Sequence, residues 1–151
     1  MSEVALSDVT AGTVRAICAL EPRDDQKGYV APNAVSIAQA YFEPCARFKA
    51  ICAGIDPVGF VMWRPRAAPE IASLWRFMID HRHQGKGYGK AALMLLCRDL
   101  SASGFRCLET SVVLGLASPL EFYRALGFRE TGETLPSGEF GLSLDLSPLG
   151  Q

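Results

Sequence analysis

The stretch from Leu74 to Leu100 reads LWRFMIDHRHQGKGYGKAALMLLCRDL, and the order of its three parts restricts the folds available to the chain. Leu74 to Ile79 is an apolar run of strand length, bounded by Asp80 and a polar turn. His81 to Gly89 follows as a loop with glycine at 85, 87 and 89. Lys90 to Leu100 is then rich in Ala, Leu and Met, which are strong helix formers. A strand, a glycine-rich loop and a helix start together predict an anion site. The first N–H groups of a helix have no intrahelical partner, and the aligned peptide dipoles leave partial positive charge there. Glycine lets the backbone approach a phosphate without side chains in the way.

Two familiar phosphate loops fail on spacing. A dinucleotide fingerprint G-x-G-x-x-G starting at Gly85 needs glycine where Lys90 stands. A nucleotide loop ending G-K-[ST] needs a hydroxyl where Ala91 follows Gly89-Lys90. What remains is Gln84-Gly85-Lys86-Gly87-Tyr88-Gly89, of the form [QR]-x-x-G-x-[GA], directly after the apolar strand.

The other elements can be read from the chain in order. Val4 to Leu6 is a short strand, and Ser7, Asp8 or Thr10 can cap a helix over about 11–20. A second helix over about 34–42 begins after Pro32 and stops before Pro44. Strands are expected over 48–53 and 58–64, joined by the turn residues 54–57, and a turn over 65–70 leads to the Leu74 strand. Gly104 ends the central helix, Cys107 to Leu114 forms a strand, and Ser118-Pro119 opens a helix that stops at Gly127. Strands over 128–133 and 139–146 close the chain. The expectation is one mixed α/β domain over residues 1–151.

Composition excludes several classes. With 49% apolar and 21% charged residues, the 151-residue chain is large enough to bury a core and is not of disordered type. A net charge of −1 argues against a nucleic-acid groove. No run of 18 apolar residues and no basic-then-apolar start occurs, so a cytoplasmic protein without membrane contact is expected. The five cysteines, Cys18, Cys45, Cys52, Cys97 and Cys107, form no C-x-x-C pair and read as buried small hydrophobes. His81 and His83 lack further ligands for a metal site and read as loop residues.

The Gln84–Gly89 pattern after its strand resembles the acetyl-CoA loop of the GNAT superfamily of N-acyltransferases. A second block, Phe122-Tyr123-Arg124-Ala125-Leu126-Gly127-Phe128, is similar to the family's F-Y-x-x-x-G-F. The order of strands and helices matches the family plan around both. Residues 26–41, with Val58 to Met62 and Phe77 to Asp80, look like the branch containing bacterial spermine/spermidine acetyltransferases. One departure is visible: many family members carry asparagine seven residues before the helix tyrosine, where this chain has Leu116.

The resemblance implies a GNAT-type fold. Its sheet is central, twisted and mostly antiparallel, splayed between the fourth and fifth strands and flanked by about four helices. It also implies an enzyme using acetyl-CoA as cosubstrate, with no metal. Backbone groups of Met78 and Ile79 would meet pantetheine and the thioester oxygen. The amides of Gln84, Gly85, Lys86, Gly87, Tyr88 and Gly89 would hold the pyrophosphate, with Arg82, Lys86 and Lys90 as charge-assisted contacts. Tyr123 would be the acid that protonates the departing thiolate.

The base that must deprotonate the attacking amine stays open among Glu70, Asp80 and Glu109. A polyamine acceptor would call on Asp24, Asp25, Glu43, Glu70 and Glu133, with Tyr29, Tyr41 and Trp63 as cation–π faces. Alternatives are another amine, such as an aminoglycoside, an amino acid or a protein terminus, and a non-catalytic acyl-CoA sensor. A homodimer is left open.

Overall fold

The computed structural model describes residues 3–66, 68 and 70–147. Its strands are β1 (Val4–Ser7), β2 (Arg47–Ala53), β3 (Asp56–Pro65), β4 (Ile71–Ile79), β5 (Cys107–Val112), β6 (Arg129–Thr134) and β7 (Phe140–Asp145). The helices are α1 (Val14–Ala19), α2 (Asn33–Ala40), α3 (Tyr88–Ala102) and α4 (Leu120–Ala125), with single 3₁₀ turns at Asp24–Gln26 and His81–His83. The seven strands form one sheet in the order β1-β2-β3-β4-β5-β7-β6. All neighbours are antiparallel except β4 and β5, which run parallel.

Alternation along β3, reset by a slip of its pairing with β2 at Val58, explains why the sheet carries two cores. Val58 and Val61 turn to one face with Leu74, Leu93, Leu96 and Leu108, whereas Phe60 and Met62 turn to the other with Ile17, Leu20 and Met78. A strand buried on both faces reads as a continuous apolar run, and Val58 to Met62 is one. Helix α3 covers the first face because Ala92, Leu93, Leu96, Cys97 and Leu100 recur at helical spacing on one side. Helices α1 and α2 cover the second face.

Most boundaries fall within a few residues of the sequence reading, and the exceptions have local causes. Helix α1 starts only at Val14, because Thr10 to Thr13 close a turn whose hydroxyl and backbone groups bond to one another. Strand β5 stops at Val112, where its pairing with β7 ends, and leaves Val113 and Leu114 exposed. The turn expected over 65–70 lies partly outside the described residues.

Candidate active site

The site begins where β4 and β5 part. They pair only between Ile71–Ser73 and Cys107–Glu109. Beyond this, β4 stays on β3 as far as Ile79 and β5 stays on β7 as far as Val112, so a gap opens between them. One side-chain bond crosses its narrow end, from Thr110 Oγ1 to the Leu74 carbonyl at 3.3 Å. The ladder decides which backbone groups face the gap. Asp80 N–H donates to Val58 O at 2.8 Å, so Asp80, and Met78 two residues before it, turn toward β3. Phe77 and Ile79, in the alternate positions, direct their peptide groups into the gap. The expectation names Met78 with Ile79; the strand alternation makes Phe77 the second gap-facing residue, while Met78 still lines the cavity.

The loop after β4 is held from below by a buried carboxylate. Asp80 is 1% exposed and caps the 3₁₀ turn, accepting from Arg82 N at 3.1 Å and Arg82 Nε at 2.8 Å. Its other oxygen accepts from the Glu21 amide at 3.0 Å. Burial alone would raise its pKa, but these hydrogen bonds and the Arg82 charge outweigh it and hold the carboxyl at about 2. Gln84 Nε2 donates both to Ile79 O at 2.9 Å and to Gln26 Oε1 at 2.8 Å. Gly87 then caps α3 with φ +83°, and a Cβ there would meet nothing within 4 Å. A left-handed cap with open space beside it leaves the first amides of α3 accessible to an anion.

A cleft of about 740 Å³ runs from this loop through the gap and out between the sheet and the α1–α2 connection. Of the residues expected at a coenzyme site, Met78, Ile79, Gln84, Gly85, Gly87, Tyr88, Gly89 and Lys90 line it; Lys86 does not and sits exposed on the outer side of the loop. Tyr123 lines the same cleft from α4. It is 5% exposed, packed edge-on against Phe122 and Phe128 at ring separations of 5.4 and 5.1 Å. Burial raises its phenol well above the ordinary value, and a hydrogen bond with Thr110 offsets this in part. The phenol therefore stays protonated at neutral and mildly alkaline pH.

Comparison with known proteins agrees with this geometry. The family model described as "Acetyltransferase (GNAT) family" matches residues 14–128, which include both the glycine loop and Tyr123. The chain belongs to the GNAT acetyltransferase family. The chain is 29% identical to the spermine/spermidine N(1)-acetyltransferase of Bacillus subtilis, over 90% of this chain and 94% of that one. Among solved structures, an acetyltransferase from Thermus thermophilus superposes with a TM-score of 0.71 at 22% identity, covering 96% of this chain and 99% of its own. The PaiA N-acetyltransferase of Thermoplasma acidophilum, solved with coenzyme A, gives 0.72 at 14% identity, covering 95% and 99%.

Within this GNAT fold, the wide end of the cleft departs from what the sequence suggested. Glu109, Glu133 and Tyr29 line it, whereas Asp24, Asp25, Glu43, Glu70, Tyr41 and Trp63 do not. Trp63 instead packs against the α3-side core, and Tyr41 is 84% exposed. Asp80 is committed to the loop and Glu70 lies outside the cleft, so of the three candidate bases only Glu109 lines it, its carboxylate 3.5 Å from Arg66.

Arg64, Arg66, Trp75, Arg76 and Glu139, none of them expected from the sequence, also line this end. The missing signal was a register shift: the ladder slips at Met62/Trp63, so Leu74 is opposite Trp63 and Arg76 opposite Met62. Trp75 is left over, a bulge that pure alternation cannot place. Leu116, in the place of the common GNAT asparagine, is fully exposed, and Ala117 and Pro119 line the cleft beside it.

Of the cysteines, Cys97 is buried, and burial pushes its thiol up to about 11, so it behaves as a small hydrophobe. Cys45 is exposed, contrary to the buried reading, and the remaining three are half-buried.

Proposed function

We propose that this GNAT chain transfers the acetyl group of acetyl-CoA to a primary amine, with both ligands meeting in the β4–β5 gap. The observation that carries the reading is the continuity of one cleft from the Gly87 cap to Tyr123. Acetyl-CoA supplies an activated acetyl thioester. The residues fit it: the cap at Gly87 offers amides and empty space to a pyrophosphate, and Lys90 lines the cleft beside it. The peptide groups of Phe77 and Ile79 are the strand edge on which a pantetheine arm can pair. Fixed N–H groups aimed at an oxygen that gains charge stabilise it without reorganisation.

The chain's own chemistry concerns protons. An alkyl amine, with a pKa of ~10, reaches the site mostly as ammonium and must lose a proton before it can attack. Glu109 and Glu139 are the carboxylates lining the wide end that are not fully exposed, and are placed to receive or relay that proton. Tyr123, kept protonated by burial, is placed to give one back to the departing sulfur.

A polyamine acceptor is supported by the Bacillus relative's name and by Glu109, Glu133 and Glu139 along the wide end. Arg64, Arg66 and Arg76 at the same end oppose a fully cationic acceptor. Acetyl-CoA turnover measured by thiol release, across polyamines, aminoglycosides, amino acids and a peptide amino terminus, tests the reading. Release that depends on an amine supports it. Tight acetyl-CoA binding with no release for any amine would instead identify an acyl-CoA sensor.

A further inference from the structure

The charge pattern at the wide end of the cleft is mixed. Arg66 faces Glu109 at 3.5 Å, and Arg64 faces Glu43 at 3.4 Å. Arg76 has no carboxylate within ion-pair distance among the described residues. Its Nη1 donates to the Trp75 carbonyl and its Nη2 to Gln39 Oε1, both at 3.0 Å, while Nε is buried without a partner among the described residues. Of its five N–H donors two are bonded and Nε is buried, so the donors left for a ligand are on Nη1 and Nη2.

Trp75 sharpens the point. The Arg64 guanidinium lies 4.0 Å from the centroid of its ring and that of Arg76 lies 5.1 Å away. Two like charges thus share one indole at the wall of a cleft. The aromatic face attracts each cation but does not neutralise them. Burial and the Arg64 charge both act against the charged form of Arg76, and Glu139 only partly opposes them. Holding a guanidinium without a counter-charge in a cavity wall is costly unless an anion pairs with it. A fully cationic acceptor would add repulsion instead.

Resting on the amine-acetyltransferase reading, we propose that Arg76, flanked by Arg64 on the Trp75 ring, is an anion-binding subsite. The acceptor is then an amine whose chain also carries a carboxylate. Arg76 and Met78 lie two residues apart on the same face of β4, about 7 Å along the strand. A carboxylate at Arg76 thus leaves the acceptor's other end free to reach the gap. Glu139, which accepts from Ser111 and Ser137 and has no cationic partner within ion-pair distance among the described residues, faces the amine part.

Three acceptors of matched length test this: 5-aminopentanoate, pentylamine and 1,5-diaminopentane, which end in a carboxylate, a methyl and an ammonium. Wild-type kcat/KM should favour 5-aminopentanoate over the other two by roughly 10- to 100-fold, the range of a charge-assisted hydrogen bond. Arg76→Gln should erase that preference by raising KM for 5-aminopentanoate far more than for pentylamine, with Arg76→Lys restoring part of it. Calorimetry of 5-aminopentanoate binding to the wild-type protein with coenzyme A should show the same loss in Arg76→Gln. Preference for 1,5-diaminopentane or spermidine in the wild type overturns the subsite while leaving amine acetylation intact. So does an unchanged preference in a folded Arg76→Gln protein. Absence of turnover with all three and with the wider amine panel overturns both readings.

Discussion

The Asp80 carboxylate accepts the Glu21 amide at 3.0 Å, joining the end of β4 to the connection that follows α1. The same carboxylate holds the Arg82 backbone and guanidinium, so one buried group fixes the entry to the glycine loop and the wall of the cleft facing it. Close by, His81 N–H donates to the Glu21 carbonyl at 2.8 Å and Gln84 reaches Gln26. Coenzyme-side and acceptor-side segments are thus tied together at their base.

This arrangement predicts an acid-labile contribution to stability. The Asp80 carboxyl lies at about 2, below an ordinary value of 3.8. A depressed carboxylate stabilises the fold above its unfolded pKa, and the contribution is lost as pH falls through its folded one. Asp80→Asn should therefore destabilise the protein by about 1–2 kcal/mol at pH 7, after allowance for the exposed Arg82 partner. The gap between wild type and variant should shrink between pH ~4 and ~2. Urea melts at several pH values measure it, and a pH-independent difference would mean that packing rather than charge is lost.

Gly87→Asp tests the anion cradle. Positive φ disfavours any side chain there, though aspartate tolerates it better than most, and the added carboxylate would occupy the space beside the α3 cap. Filling the space a phosphate would take and adding repulsion should weaken acetyl-CoA binding roughly 100-fold or more. Calorimetry showing wild-type affinity in a folded variant would move the pyrophosphate elsewhere.

Tyr29 reaches across the cleft to Gly115, where any Cβ would fall on its hydroxyl. Gly115→Val should swing Tyr29 aside and raise the acceptor KM severalfold, with coenzyme affinity little changed. Equal effects on both ligands would show that the β5–α4 connection, rather than the tyrosine, had moved.

The glycine loop and the Phe122–Phe128 block were legible in the sequence because their chemistry is local. A turn, a cap and a helix start are encoded by neighbouring residues. Strand-like runs bounded by turn residues likewise placed the strands from β2 to β7 to within a few residues. The acceptor end was not legible, because it is assembled from β3, β4, β5 and the β6–β7 hairpin across a bulge that shifts the register of Arg76. Carboxylates singled out for their charge alone, such as Asp24 and Asp25, sit in a surface 3₁₀ turn and bond to Lys27 and Arg23. Ionisable side chains are common on surfaces, and which of them converge is decided by topology.

Tyr123→Phe separates the two roles that burial gives this side chain. The ring fills a core position between Phe122 and Phe128, and phenylalanine keeps that packing. Thr110, the neighbour of the lost hydroxyl, retains its bond to Leu74 O. Fold and coenzyme affinity should therefore survive. If the phenol donates the proton to the departing thiolate, kcat should fall by ~10², the lower end for general acid catalysis, because a thiol of pKa ~8.5 leaves fairly well unaided. The loss should appear in kcat rather than in coenzyme affinity, because the transfer follows the attack. Since burial raises the phenol, the wild-type rate should show no phenol limb up to pH ~10, and the mutant should be slower by the same factor throughout. A variant that retains full kcat over this range would make Tyr123 a packing residue and give the proton transfer to water or another group.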